Sequence, residues 1–165
     1  MSFKGMRDGL NTQVQNEIYS SYLYLSMAAY FHSNNLNGFA HWMRLQSSEE
    51  MGHAMKIYDY IIQRGGRVQL KEIKKPPHDF KSVKEVMEKT LAHEQSVTQC
   101  FHELYEQAAK QKDYATQSFL QWFINEQVEE EAAVNEILQK LYLIADKSSS
   151  ILYLDKEMKK RATSS

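Results

Sequence analysis

Apolar residues recur along this chain at alternating steps of three and four, the spacing that gives a helix one dry face and one wet face. Four segments carry the stripe. The first seam runs through Leu10, Val14, Glu17, Ser21, Tyr24, Ala28 and Phe31. A second follows Phe39, Met43, Gln46, Glu50, His53, Ile57 and Tyr60. The third is Val83, Met87, Thr90, Glu94, Val97, Phe101, Leu104 and Ala108. The last is Leu120, Phe123, Gln127, Glu130, Val134, Ile137 and Leu141. The pattern predicts four helices of roughly 27 to 30 residues, about 40 Å each at 1.5 Å per residue.

Punctuation supports these limits. "NNLNG" (Asn34 to Gly38) is a turn signal between the first two helices. Gly65-Gly66 ends the second. "SVKE" (Ser82 to Glu85) has the form of a capping box opening the third, and Asp113 is an N-cap for the fourth. "SSS" (Ser148 to Ser150) is expected to end the fourth helix, with "ILYLDKEMKKR" as a short fifth. The join "GGRVQLKEIKKPPHDFKS" has no stripe and is long enough to run the length of a bundle. The other joins are short, so helices 1–2 and 3–4 form antiparallel hairpins, and the crossover makes helices 2 and 3 parallel. The expectation is an all-α single domain over residues 1–165: a four-helix bundle with one long crossover and a short fifth C-terminal helix.

Each seam is interrupted near its middle by carboxylates: Glu17, Glu50 with His53, Glu94, and Glu130 with Gln127. Folding the hairpins together brings these residues to one level. An unpaired carboxylate in a dry core costs several kcal/mol, and no Lys or Arg occupies a seam. Either the carboxylates are protonated or a multivalent cation sits among them. Glu50 and His53 project from one face of their helix, and an imidazole among carboxylates suits iron, manganese or zinc better than magnesium or calcium. One Glu from each of two helices plus Glu-x-x-His from the others is the carboxylate di-iron pattern. The fourth helix departs from it with Gln-x-x-Glu, so the two metal positions should differ in ligands and affinity.

Composition narrows the field further. The 165 residues include 20 basic and 21 acidic side chains, a net charge of −1, which argues against nucleic acid as a partner. The single cysteine, Cys100, excludes a disulfide framework and a Cys-rich metal site, and reads as a small buried filler. No apolar run approaches the ~20 residues that span a bilayer, so no membrane is expected and a cytoplasmic location is the default. His32, His41, His78, His93 and His102 lack partners in the pattern and read as surface histidines. Glu131 reads as a solvated residue. The eight methionines are mostly packing.

The stretches "NEIYSSYLYLSMAAYF", "GFAHWMRLQSSEEMGHAMKIYDYI", "EIKKPP", "AHEQSVTQ", "DYATQSFLQWFINEQVEEE" and "LYLDKEM" resemble the ferritin family, specifically its prokaryotic non-haem branch, essentially end to end. The resemblance implies the ferritin-like bundle and a ferroxidase that oxidises Fe(II) with O₂ or H₂O₂. It further implies storage of ferric mineral in a homo-24-mer shell, with the fifth helix along a four-fold axis. Glu17, Glu50 and His53 would hold the first iron. Glu50 would bridge to a second held with Glu94 and Glu130, with Gln127 beside the pair. Glu49, Glu126 and Glu129, helped by Glu130, match a third, inner-surface iron site. Tyr24 and Trp122 match nearby aromatics that donate electrons.

The nearest rival is a haem-binding bacterioferritin, since Met51 follows Glu50 where such relatives carry an axial methionine. Gln127 and Glu130 replace the second Glu-x-x-His of that group, so no haem is expected. Rubrerythrin needs paired Cys-x-x-Cys motifs. A DNA-coating mini-ferritin places its metal site between subunits and usually has basic tails. A purely structural bundle with a protonated polar core predicts no metal binding.

Overall fold

The computed structural model describes residues 3–145 and 147–163. Its helices are α1 (Phe3–Ser33), α2 (Asn37–Gln63), α3 (Val83–Lys110), α4 (Tyr114–Ile144) and α5 (Ser148–Met158), with no strand among the described residues. Every seam position predicted on the four long helices is buried. α1 packs along α2 and α3 along α4, α1 also meets α3, and α5 lies against α2 and α4.

The ends form where the sequence has no choice but to turn. After α1 the chain reverses through Asn35 in the left-handed region (φ 59°), and the Leu36 amide returns to the Phe31 carbonyl at 2.9 Å. Gly65 (φ 74°) closes α2, a backbone angle that suits glycine. Ser82 Oγ accepts from the Glu85 amide at 3.1 Å, capping α3. The reciprocal bond of a capping box lands one residue early: the Glu85 carboxylate accepts from the Lys81 amide at 2.6 Å. Asp113 accepts from the Thr116 amide at 3.1 Å and caps α4.

Residues 64–82 cross over without helix, held along α1 by its polar face. Asn11 accepts from the Gln69 amide (2.8 Å) and donates to the Arg67 carbonyl (3.2 Å). Further along, Gln15 donates to the Glu72 carbonyl (2.5 Å) and Ser26 to that of Pro77 (2.7 Å). The crossover therefore tracks α1 from one end of the bundle towards the other, which makes α2 and α3 parallel.

The serine run belongs to a different element than the sequence suggests. α4 stops at Ile144 with Ala145 left-handed (φ 44°), and Ser148–Ser150 form the first turn of α5. α5 ends at Met158, leaving Lys159 to Arg161 beyond it. It docks by capping another helix: Asp155 Oδ1 accepts from the Phe39 amide at 2.8 Å, at the start of α2. This approach needs Gly38, because a Cβ there would lie 1.7 Å from the Asp155 carbonyl oxygen.

Apolar packing falls into two blocks with a polar layer between them. One block gathers Tyr24, Met27, Phe31, Phe39, Met43, Met87, Val134 and Leu138 and takes in Leu154 and Met158 of α5. The other gathers Phe3, Met6, Leu10, Ile57, Ile61, Phe101, Leu120 and Phe123. In Gly38→Ala, α5 must move off α2, with a cost on the order of 1–3 kcal/mol. Thermal unfolding should show a lowered Tm with the four long helices retained by circular dichroism; an unchanged Tm contradicts this docking.

Candidate metal centre

Between the apolar blocks, Glu17, Glu50, Glu94, Gln127, Glu130 and His53 are all buried. Among the described residues no Lys or Arg is buried, and the basic side chain in this layer is His53. Donor atoms of Glu17, Glu50 and His53 lie within 4.8 Å of one another, as do those of Glu50, Glu94 and Glu130. Glu50 belongs to both groups, which gives two adjacent positions sharing one carboxylate. The sequence-predicted set is thus brought together from four helices.

Hydrogen bonds fix how each of these side chains is aimed. His53 Nδ1 is 3.0 Å from Glu50 Oε2 and 3.7 Å from Glu17 Oε2. Gln13 Nε2 donates to Glu17 Oε1 at 2.7 Å. Glu17 Oε2 is fully buried and has no hydrogen-bond partner. A buried carboxylate oxygen without a hydrogen bond is expensive, and the charge beside this one is that of His53, 3.7 Å away. Gln46 Nε2 spans the second position, donating to Glu50 Oε1 (2.9 Å) and Glu130 Oε2 (2.7 Å). Tyr24 Oη donates to Glu94 Oε1 in a short bond. Gln127 Nε2 donates to Glu94 Oε2 (3.1 Å) and to Thr98 Oγ1 (3.1 Å), and Thr98 in turn donates to Glu131 Oε2 (2.7 Å). Glu131 is therefore half-buried and partnered, the anchor of a relay that fixes Gln127, and not the solvated residue its position suggests.

Oxidisable rings lie beside each position. Tyr24 touches Glu94, and the exposed Trp122 stands edge-on to His53, centroids 5.5 Å apart. Lys56 Nζ sits 3.2 Å from the Trp122 ring centre, a cation–π contact.

Three other expectations need correction. His93 is half-buried, not a surface histidine: its Nε2 is 2.7 Å from Ser20 Oγ, and its ring lies 5.8 Å from both Tyr19 and Tyr24. Burial pushes it down to about 4. His41 is also half-buried, with Nε2 2.8 Å from the Arg161 carbonyl. Cys100 is half-buried and meets Asn16 Nδ2 at 3.9 Å, so it is not a sealed filler. His32, His78 and His102 are exposed.

Glu49, Glu126 and Glu129 are arranged less closely. Glu126 groups with His53 and Glu130 within 4.8 Å. Glu49 and Glu129 belong to no such donor group among the described residues. Glu129 is exposed, and Glu49 is half-buried and paired with Arg161 at 3.0 Å. Gln13 and Arg161 were not read from the pattern, and Gln46 was placed on its seam without a role. Gln13 and Gln46 carry a signal: each stands four residues before a buried glutamate of the layer, Glu17 or Glu50, hence over the same face of its helix.

The metal-free layer holds protons. Burial, then the charge of Glu50, raises Glu94 to about 8 against the bonds from Tyr24 and Gln127. Burial with Glu50 and Glu94 likewise raises Glu130 to about 8. Burial raises Glu50 to about 7, with Glu17 adding and the His53 bond opposing. Burial works against the His53 cation, but Glu17 and Glu50 outweigh it and lift the group to about 11. A metal binding here must displace these protons.

Comparison with known proteins places the whole chain in a family. A family model for the ferritin-like domain matches residues 7–144. The bacterial non-heme ferritin of Staphylococcus saprophyticus is 42% identical over 159 residues, 96% of this chain and 95% of that one. An open-pore ferritin from Archaeoglobus fulgidus is 49% identical with a TM-score of 0.94, covering 95% of this chain and 96% of that chain. A closed form of that protein, made by site-directed mutagenesis, is 48% identical with a TM-score of 0.95 over 96% and 97% of the two chains.

The raised carboxyls give stability a sign with pH. Free carboxyl groups lose their protons near 4.5, whereas Glu50, Glu94 and Glu130 keep theirs to about 7 or 8. Between those limits the unfolded chain binds fewer protons, so metal-free stability falls as pH rises. His53 acts in the same direction: its contribution is complete below 6.5 and is lost as pH rises through 11. A tenfold difference in proton affinity between the folded and unfolded chain is worth about 1.4 kcal/mol. Metal-free Tm should therefore fall between about pH 5 and about pH 8, and Zn(II) should raise Tm most at the upper end. Glu94→Gln should flatten the slope; a wild-type slope in that variant would contradict the assignment.

Proposed function

The chain belongs to the ferritin family, and with iron storage as that family's role we propose that it is an iron-storage protein with ferroxidase activity. The observation that carries this is the buried layer of four glutamates and His53, which includes an orphaned oxygen on Glu17 and has no buried Lys or Arg to balance it. Fe(II) is the substrate. Glu17, Glu50 and His53 hold one ion, and Glu50, Glu94 and Glu130 the other. Two adjacent metals allow an oxidant to draw on both at once.

Each Fe(II) gives up one electron. Two electrons with two protons reduce O₂ to H₂O₂, or reduce H₂O₂ to two waters. The protons displaced from Glu50, Glu94, Glu130 and His53 on metal entry supply that demand locally. Carboxylate oxygen favours Fe(III) over Fe(II), which drives oxidation forward. The second position has no imidazole and two neutral amides, Gln46 and Gln127, beside it; this makes it the weaker one and lets ferric product leave. Tyr24 and Trp122 are placed to donate electrons through Glu94 and His53. Glu126, with Glu49 and Glu129, forms the third, inner position on the way to the mineral.

We assign the assembly as a 24-subunit shell. Exposed apolar side chains that adjoin in the chain support it, Tyr142 and Leu143 on α4 at 48% and 84% and Leu152 and Tyr153 on α5 at 59% and 67% exposure. The non-heme naming of the relative at 42% identity favours this reading over a haem-bearing one.

Stopped-flow oxidation of Fe(II) in air tests the assignment. Glu50→Ala and His53→Ala should each lose at least about tenfold in initial rate while remaining folded, because each removes a group that touches the reacting metal. Wild-type rates in both would overturn it.

A further inference from the structure

The end of the chain lies along α2. α5 ends at Met158, and Arg161 stands beyond it outside any helix. His41 Nε2 donates to the Arg161 carbonyl at 2.8 Å, which holds the backbone in place. The guanidinium packs over the Trp42 ring, 4.4 Å from the centroid, and its Nη1 donates to the Trp42 carbonyl at 3.1 Å. Its Nη2 donates to Gln46 Oε1 and to Glu49 Oε2, at 3.0 Å each. Trp42, Gln46 and Glu49 follow one another at steps of four and three, so they share a face of α2 and one cation reaches all three. Stacking on a ring while donating to several acceptors is what a planar guanidinium does and an ammonium does not.

Gln46 is where these contacts meet the metal centre. Its side chain is buried, and its amide has an accepting end and a donating end. Arg161 takes the oxygen, so the NH₂ must face the layer. Both of its hydrogens go to carboxylates there, to Glu50 Oε1 on α2 at 2.9 Å and to Glu130 Oε2 on α4 at 2.7 Å. Turned the other way, the amide would set its oxygen against two carboxylates and its NH₂ against a guanidinium, and all three bonds would be lost. The cation on the tail therefore fixes the sense of an amide that ties two helices together across the layer.

We propose that Arg161 is a positioning residue for the second metal position, acting through Gln46 on Glu130 and Glu50. The proposal rests on the ferroxidase reading above. A hydrogen bond from a guanidinium is roughly twice as strong as one between neutral groups, so its loss frees the Gln46 amide to turn. Glu130 takes its hydrogen bond from Gln46 and loses its fixed orientation with it. The first position is less affected, because Glu17 keeps its bond from Gln13 and Glu50 its contact with His53. A residue at the chain end thus sets how well the weaker of the two positions is formed.

Zn(II) calorimetry on the full chain tests this, since zinc reports binding without oxidation. Wild type should show two equivalents at the paired positions, the weaker of them lost in Glu130→Ala. Arg161→Gln should weaken that equivalent about tenfold, the scale on which groups that orient a metal ligand act, and leave the tighter one within about twofold. In the Gln46→Ala background, Arg161→Gln should change neither by more than about twofold, because the amide that carries the effect is gone. A packing role of the tail, or loss of a charge acting through space, would weaken binding equally in both backgrounds, and that result overturns the proposal. An unchanged weaker equivalent in Arg161→Gln overturns it too and leaves the ferroxidase reading standing. A wild type without two equivalents overturns both. Should Arg161→Gln fail to fold, Arg161→Lys is read in the same two backgrounds by the same criteria, since it keeps the charge and loses the planar fork.

Discussion

Like charges in a dry bundle are the constraint on which the rest of this structure depends. Glu17, Glu50, Glu94 and Glu130 converge from four helices in a layer closed above and below by apolar packing. In low dielectric they cannot all stay ionised unless something positive sits among them. Without metal the layer answers with protons, as the raised carboxyls show, and with the His53 cation. Its remaining polar atoms are paired by Gln13, Gln46, Gln127 and Tyr24. One Glu17 oxygen is left without a hydrogen bond, 3.7 Å from the His53 ring.

Long uninterrupted helices are what make such a layer tolerable. Each of these glutamates sits near the middle of a helix of 27 to 31 residues, with several apolar turns on either side to fix its angle. The crossover contributes by making α2 and α3 parallel, which brings Glu50 and Glu94 to one height. α5 then covers one apolar block and hands the chain on to Arg161, at the edge of the polar layer.

Much of this was legible in the chain. Period fixes which side of a helix a residue takes, so Glu17, Glu50, His53, Glu94, Gln127 and Glu130 were all found on their seams. Groups whose role depends on another helix were not. His93 follows no seam, yet the Tyr19 and Tyr24 rings cover it from α1. Glu131 looks wet until Thr98 of α3 reaches it. The pairing of Arg161 with Glu49 spans 112 positions and lies beyond the reach of any periodicity. Ser148–Ser150 misled because serine suits the start of one helix as well as the end of another.

The central claim is that two metals share Glu50 at the middle of one subunit. Anomalous diffraction at the iron edge, from crystals soaked anaerobically in Fe(II), tests it most directly. The account predicts two peaks per subunit, one among Glu17, Glu50 and His53 and one among Glu50, Glu94 and Glu130. Iron found only at surface carboxylates, with this layer empty, would contradict it.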